Sequence, residues 1–279
     1  MSDTALVLGG GGPVGGAWLT GVLAGLTEAG IDLRSADVVI GTSAGAVFGS
    51  RLLAGVPAAD FYERQLSGAD AVRLPVTARQ TAHFLWAALG SRDPQRSIER
   101  LARAALGART GPESDVFDTV GALLGEVRDW PERELRITAV DAQTGQLEVF
   151  DSHSGVTLLE AVAASCAVPV VWPPVTVAGR RWMDGGSRST ANLQLARGYR
   201  RVLAVVPIPR AVGPHPSASQ QAAELLAEGT RVTLLSPDRA ARRIMGRNMA
   251  DDTRRPAAAR AGHAQASALA SSVADAWQG

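Results

Sequence analysis

The segment Val38-Val39-Ile40-Gly41-Thr42-Ser43-Ala44-Gly45-Ala46-Val47-Phe48-Gly49-Ser50-Arg51-Leu52-Leu53 passes from an apolar run through a glycine-flanked serine into a helix-like run. Gly41-Thr42-Ser43-Ala44-Gly45 fits G-x-S-x-G, and its flanks supply the strand and helix that give the pattern meaning. A buried strand ends, the backbone turns sharply, and a helix starts with a serine at its N-terminus. Gly41 and Gly45 let the strand and helix approach closely. Unpaired N–H groups in the first helical turn favour an anion formed beside the serine hydroxyl. The pattern predicts Ser43 as a nucleophile. The alternative is a small-residue turn that serves packing alone.

Upstream, the apolar strand Ala5-Leu6-Val7-Leu8 runs into Gly9-Gly10-Gly11-Gly12-Pro13-Val14-Gly15-Gly16. A helix over about 17–29 closes at Gly30, and Asp37 to Ile40 forms the next strand. Strand, helix, strand, helix predicts a parallel α/β layer with crossover helices. The glycine loop has two functional readings. As Gly10-x-Gly12-x-x-Gly15 it fits a dinucleotide fingerprint, which makes the chain an oxidoreductase or binding module. That motif also wants an acid at the end of the next strand, whereas Asp37 starts that strand and Gly41-Thr42-Ser43 ends it. In the second reading the bare backbone amides form an oxyanion hole. The serine elbow favours the second.

The chain has 279 residues, 46% hydrophobic, 20% charged and 5% aromatic, enough for one large α/β domain. The formal net charge of +1 gives no field for nucleic acid. All 28 basic residues are arginine, so a lysine nucleophile, a Schiff base and a P-loop lysine are excluded. The single cysteine, Cys166, forms no internal disulfide, and without C-x-x-C no structural zinc is expected. No cofactor or metal is implied. The N-terminus shows no signal peptide and no run reaches transmembrane length, so a cytoplasmic protein is expected.

The region 60–133 is mainly helical, rich in Ala, Leu and Arg, with breakers at Pro75, Pro94, Pro112 and Pro131. It is expected as a helical insertion within a single domain spanning 1–279. Its piece Thr81 to Leu89 reads as a core helix, with a cover over the site as the alternative. Strands follow at Leu135 to Val140 and Gln146 to Phe150, then a helix over Leu158 to Ser165. Further strands are expected at Val177 to Met183, Arg201 to Val206 and Arg231 to Leu235. The tail from Ala240 to Trp277 reads as helical, broken at Pro256. Arginine-bearing amphipathic faces here and in 60–133 are expected to be solvated, with transient membrane-surface contact as the alternative.

A serine nucleophile needs a base. His83, His153, His215 and His263 do not end core strands, where a base facing Ser43 would be presented. Asp184 does: it closes the Arg180-Arg181-Trp182-Met183 strand, and Gly185-Gly186 leaves its carboxylate uncrowded. Partial desolvation raises a carboxylate's proton affinity towards what a general base requires. Asp-Gly-Gly is also an ordinary turn.

The glycine loop after the first strand, G-x-S-x-G after the second, and the downstream Asp184-Gly185-Gly186 together resemble the patatin-like phospholipase family. Ala163-Ala164-Ser165-Cys166-Ala167-Val168-Pro169 and Trp172-Pro173-Pro174-Val175 look like the family's approach to its aspartate. Gly246-Arg247-Asn248-Met249 resembles its C-terminal region. The resemblance implies a three-layer α/β/α sandwich around a mostly parallel sheet and a lipid or fatty-acyl ester substrate. It implies a Ser43–Asp184 dyad without histidine, with Gly10, Gly11 and Gly12 as the oxyanion hole. Two departures stand out. Val14, after Pro13, replaces the family's frequent Arg or Lys, which favours an acyl hydrolase over a phospholipase. Asn192-Leu193-Gln194 keeps the Asn of Asn-x-Pro and lacks the proline.

Overall fold

A computed structural model describes residues 3–71 and 76–278. Pro75, expected as a helix breaker, lies outside the described residues, as do Met1 and Ser2 at the N-terminus. The first half runs β1 (Thr4–Leu8), α1 (Gly12–Glu28), β2 (Val38–Gly41), α2 (Ala44–Leu53), α3 (Ala58–Ser67), α4 (Ala78–Leu89), α5 (Pro94–Leu106) and α6 (Glu113–Leu124). The second half runs β3 (Glu134–Asp141), β4 (Leu147–Phe150), α7 (Leu158–Cys166), β5 (Val175–Val177), β6 (Arg180–Asp184), β7 (Arg201–Val205), α8 (Ala218–Ala227), β8 (Arg231–Leu235), α9 (Arg239–Met245) and α10 (Arg255–Gln278).

The strands form one sheet with hydrogen-bonded order β5-β6-β3-β2-β1-β7-β8, and β4 also pairs with β3. The β3-β2-β1-β7-β8 part is parallel, while β4, β5 and β6 enter antiparallel. Strand periodicity sends alternate side chains to opposite faces. Leu6, Leu8, Val39 and Leu203 meet Trp18, Phe48 and Val162 on one side. Ala5, Val7, Val38 and Ile40 meet Leu193, Ala222 and Leu225 on the other. Helices therefore cover both faces, the three-layer arrangement expected.

Register explains how distant segments converge. β3 has two edges and three partners. β4 spans Ile137 to Val140, which overlaps both β2 at Ile137 and β6 at Ala139 and Val140, so β4 takes one edge alone. The other edge is shared: β2 occupies it up to Gly41↔Ile137, and β6 takes over at Ala139↔Asp184. The ends of β2 and β6 thus meet along the same side of β3, and those ends carry Ser43 and Asp184.

Four sequence expectations are corrected. α1 starts inside the glycine loop at Gly12, because Pro13 fits a first helical turn that lacks N–H acceptors anyway. The single strand expected over Val177 to Met183 is a hairpin, turned at Ala178 and Gly179 with φ of 48° and 74°. Pro256 does not break the tail; it is the second residue of α10, where proline is tolerated, and the break falls at Gly246, φ 73°, behind α9. Thr81 to Leu89 is helical but not a core helix: Leu85, Trp86 and Leu89 are exposed, and only Ala87 and Ala88 are buried. α5 takes the sheet-facing role instead, pressing Ile98 and Leu101 against Val140 and Met183.

Candidate active site

The elbow is built by close approach. Thr42 N–H donates to the Leu8 carbonyl at 3.0 Å, which draws the end of β2 against β1. A Cβ at Gly45 would run into that same Leu8 carbonyl, so only glycine allows α2 to start here. Gly41 closes β2 immediately beneath α2. Ser43 takes φ 53° and ψ −118°, a conformation L-residues rarely adopt. Such strain persists only where surrounding structure fixes it. Here the Ser43 N–H donates to Ser165 Oγ at 2.8 Å, from the buried end of α7.

Asp184 is held in its turn by its own backbone N–H, which donates to the Ala167 carbonyl at 2.9 Å. The Gly186 N–H donates to Asp184 Oδ1 at 2.7 Å, and Gly185 lies so close to Thr138 that a Cβ would collide with it. The carboxyl is only 5% exposed. Burial pushes its pKa up to about 6, opposed by the Ser43 side chain and the Gly186 N–H acting as hydrogen-bond partners. The same aspartate, together with burial, raises the thiol of neighbouring Cys166.

Behind the pair lies a buried polar network that sequence reasoning did not assign. Asn192, in a left-handed conformation with φ 50°, donates from Nδ2 to the Ser189 carbonyl at 2.7 Å and to Thr42 Oγ1 at 3.0 Å. Thr42 Oγ1 and Thr138 Oγ1 are 2.8 Å apart. The network joins the residue preceding Ser43 to the strand that pairs with Asp184. Asn192 and Ser165 stand in the motifs quoted above; their partners were not legible there.

The glycine loop faces the same site, since a Cβ on Gly10 would lie 3.3 Å from Ser43 Cβ. Its amides are not equivalent. Gly10 N–H donates to the Thr190 carbonyl at 2.8 Å, Gly15 N–H to Gly11 at 3.0 Å and Val14 N–H to Met249 at 3.0 Å. For Gly11 and Gly12 no acceptor is found among the described residues. Val14 is fully buried in the core. Asp37, the acid a dinucleotide site would need, is at the opposite end of β2, where it accepts from the Asp3 and Thr4 N–H groups at 2.7 and 2.9 Å.

Ser43 opens onto a cavity of about 90 Å³ between α1, α2 and α6, walled by Val47, Phe48, Val120, Leu123 and Trp172. Gln65, Asp70 and Arg255 also line it, each at most 4% exposed. Arg255 donates to Gln65 Oε1 at 2.7 and 2.9 Å, and Asp70 is paired with Arg51 at 3.2 Å and Arg64 at 2.6 Å. None of the four histidines lines this cavity. His263 bonds Glu28 at 2.7 Å, and buried His215 has its pKa lowered by desolvation and by Arg188. Among the described residues no cluster of metal-ligating side chains is found.

The sequence matches the family model for patatin-like phospholipase over residues 6–197, well over half the chain. The chain belongs to the patatin-like phospholipase family. The patatin match takes in Ser43, Asp184 and the glycine loop, and ends before β7. Among solved structures, that of VipD from Legionella pneumophila resembles this patatin-like chain with a TM-score of 0.53. It is 14% identical, over 98% of this chain and 67% of that one. The type III effector protein ExoU gives a TM-score of 0.43 at 16% identity, over 97% of this chain and 53% of that one. No protein with a curated description matches. The first likeness supports the fold: a mostly parallel sheet between helical layers.

Proposed function

We propose that this patatin-like protein hydrolyses carboxylic esters of lipid-like substrates through a Ser43–Asp184 dyad. The observation that carries the reading is a buried carboxyl with raised proton affinity, set against a strained serine at the head of an apolar cavity. Ser43 Oγ attacks the acyl carbonyl carbon while Asp184 accepts its proton. The carbonyl π pair moves onto oxygen, and the Gly11 and Gly12 N–H groups receive that charge. Gly10 serves by fixing the loop, since its own N–H is spent on Thr190. Collapse breaks the bond to the leaving alcohol, which takes the proton from Asp184 and leaves an acyl-Ser43 ester. Water then attacks this ester as Asp184 takes its proton; collapse releases the carboxylic acid, and Asp184 returns the proton to Ser43 Oγ.

The cavity supports an acyl chain over a polar substrate group, because its walls are nearly all hydrocarbon. The dinucleotide alternative finds less support: Asp37 and the loop lie at opposite ends of β2. Fluorophosphonate labelling and turnover of p-nitrophenyl esters test the proposal. Both are expected in the wild type, and both should be lost in Ser43→Ala; turnover that survives this substitution would falsify the dyad.

A further inference from the structure

The exposed face of α4 has no role in the hydrolytic site, yet its composition is unusual for a solvated helix. Ala82, Leu85, Trp86 and Leu89 recur at helical spacing on one face, with Trp86 66% and Leu89 65% exposed. Contiguous exposed apolar side chains of this size mark a contact surface rather than chance exposure. The opposite face is anchored through Ala87, Ala88 and Phe84 on α5 and the sheet, so the stripe is displayed by packed structure.

Charge in this segment is predominantly positive. Between Ala78 and Leu106 there are five arginines against Asp93 and Glu99. Both acids are occupied locally: Asp93 accepts the Arg96 N–H at 2.7 Å at the cap of α5, and Glu99 accepts from Gln95 at 3.0 Å. Among the described residues, Arg79, Arg92, Arg96, Arg100 and Arg103 form no ion pair. Arg100 instead lies over the Trp86 ring, 4.5 Å from its centroid. An apolar stripe with tryptophan, with Arg79 on the same helix and Arg100 over the Trp86 ring, suits the boundary between anionic headgroups and acyl chains.

Position ties this surface to the site. Gln80, in the first turn of α4, donates to the Val170 carbonyl at 3.1 Å, and Val168 and Trp172 on either side of Val170 line the cavity of Ser43. We infer that α4 is a docking helix for an anionic lipid surface and sets the mouth of the Ser43 cavity against it. The inference rests on the lipid-ester reading for its purpose, but its test does not depend on catalysis.

Co-sedimentation with phosphatidylcholine vesicles, with and without 30% phosphatidylglycerol, reads the docking directly, using Ser43→Ala protein so that lipid is not consumed. Binding at least tenfold stronger to the anionic vesicles is expected, weakened by 0.5 M salt and lost in Leu85→Ser/Trp86→Ser/Leu89→Ser. The quenching of Trp86 by lipid-borne bromine locates the contact in a variant that retains the stripe. Equal binding by the triple variant overturns the inference, as does absence of vesicle binding by the parent. A dimer that the triple variant dissolves, without change in vesicle binding, overturns it in favour of self-association. Failure of wild-type protein to hydrolyse a soluble short-chain ester would remove the hydrolase reading and leave this result standing.

Discussion

The backbone N–H of Ser43 donates to the hydroxyl of Ser165, 122 residues away, at 2.8 Å. This bond fixes the peptide that carries Ser43. Ser165 is fully buried, so Ser165→Ala leaves an unpaired N–H beneath Ser43. A loss of about 1–3 kcal/mol in stability is expected. Turnover should fall through kcat with little change in KM, measured by steady-state kinetics beside a urea titration. A variant with full kcat would show that Ser43 is held without this bond.

The proposed Ser43–Asp184 dyad should be pH-dependent. With the Asp184 pKa pushed up to about 6, the base is protonated in mildly acidic solution, and kcat/KM should rise through pH 6 to a plateau. A carboxyl at its ordinary value would place that rise about two units lower. The acid limb of a pH–rate profile on a neutral ester distinguishes them.

The same shift has a stability consequence of fixed sign. The folded-state pKa lies above the unfolded value, so ionising Asp184 opposes folding. The penalty is absent below pH 4, grows through pH 6 and is complete above it. Between 3.8 and about 6 it amounts to about 3 kcal/mol. Asp184→Asn should therefore abolish turnover yet match or exceed wild-type stability at pH 8, with the gain gone at pH 4. Urea unfolding at both pH values checks this, and a variant less stable at pH 8 contradicts it.

Asn192→Gly retains the left-handed backbone and deletes the amide that links Ser189 to Thr42. Loss of about 1–3 kcal/mol is expected from the unpaired buried groups. If the network aligns Ser43 with Asp184, kcat should drop further than in a surface control of equal destabilisation. A crystal structure of the variant, read at the Thr42–Thr138 contact, separates alignment from simple loosening.

The cavity should select chain length. The cavity holds about 90 Å³ and carries Gln65, Asp70 and Arg255 beside its apolar walls. Activity on p-nitrophenyl esters should climb over the first few carbons of the acyl chain and then fall. A monotonic rise to sixteen carbons would mean the chain leaves by another route.

Much of this was legible in local sequence. The strand-turn-helix around Ser43, the glycine loop and the Asp184 turn each follow from residues adjacent in the chain, because steric limits on turns act over a few residues. What was not legible required knowledge of pairing. That Gly10 donates to Thr190 while Gly11 and Gly12 find no acceptor among the described residues follows from where β7 and the 185–192 segment lie. The Val177 to Met183 run hid its hairpin, since Ala178 is an unusual residue for positive φ. The misread face of α4 has a physical cause as well: an apolar stripe looks the same whether it meets a core or a lipid surface.

Because β2 has only four residues, the edge of β3 passes from a parallel neighbour to an antiparallel one within the active site. Ser43 thus rides on the central parallel sheet, whereas Asp184 rides on a β5–β6 hairpin joined to β3 by three residue pairs. The two residues of the proposed dyad belong to parts of the sheet with unequal grip. Peeling the hairpin from β3 would withdraw Asp184 and leave Ser43, its elbow and the parallel sheet behind it in place.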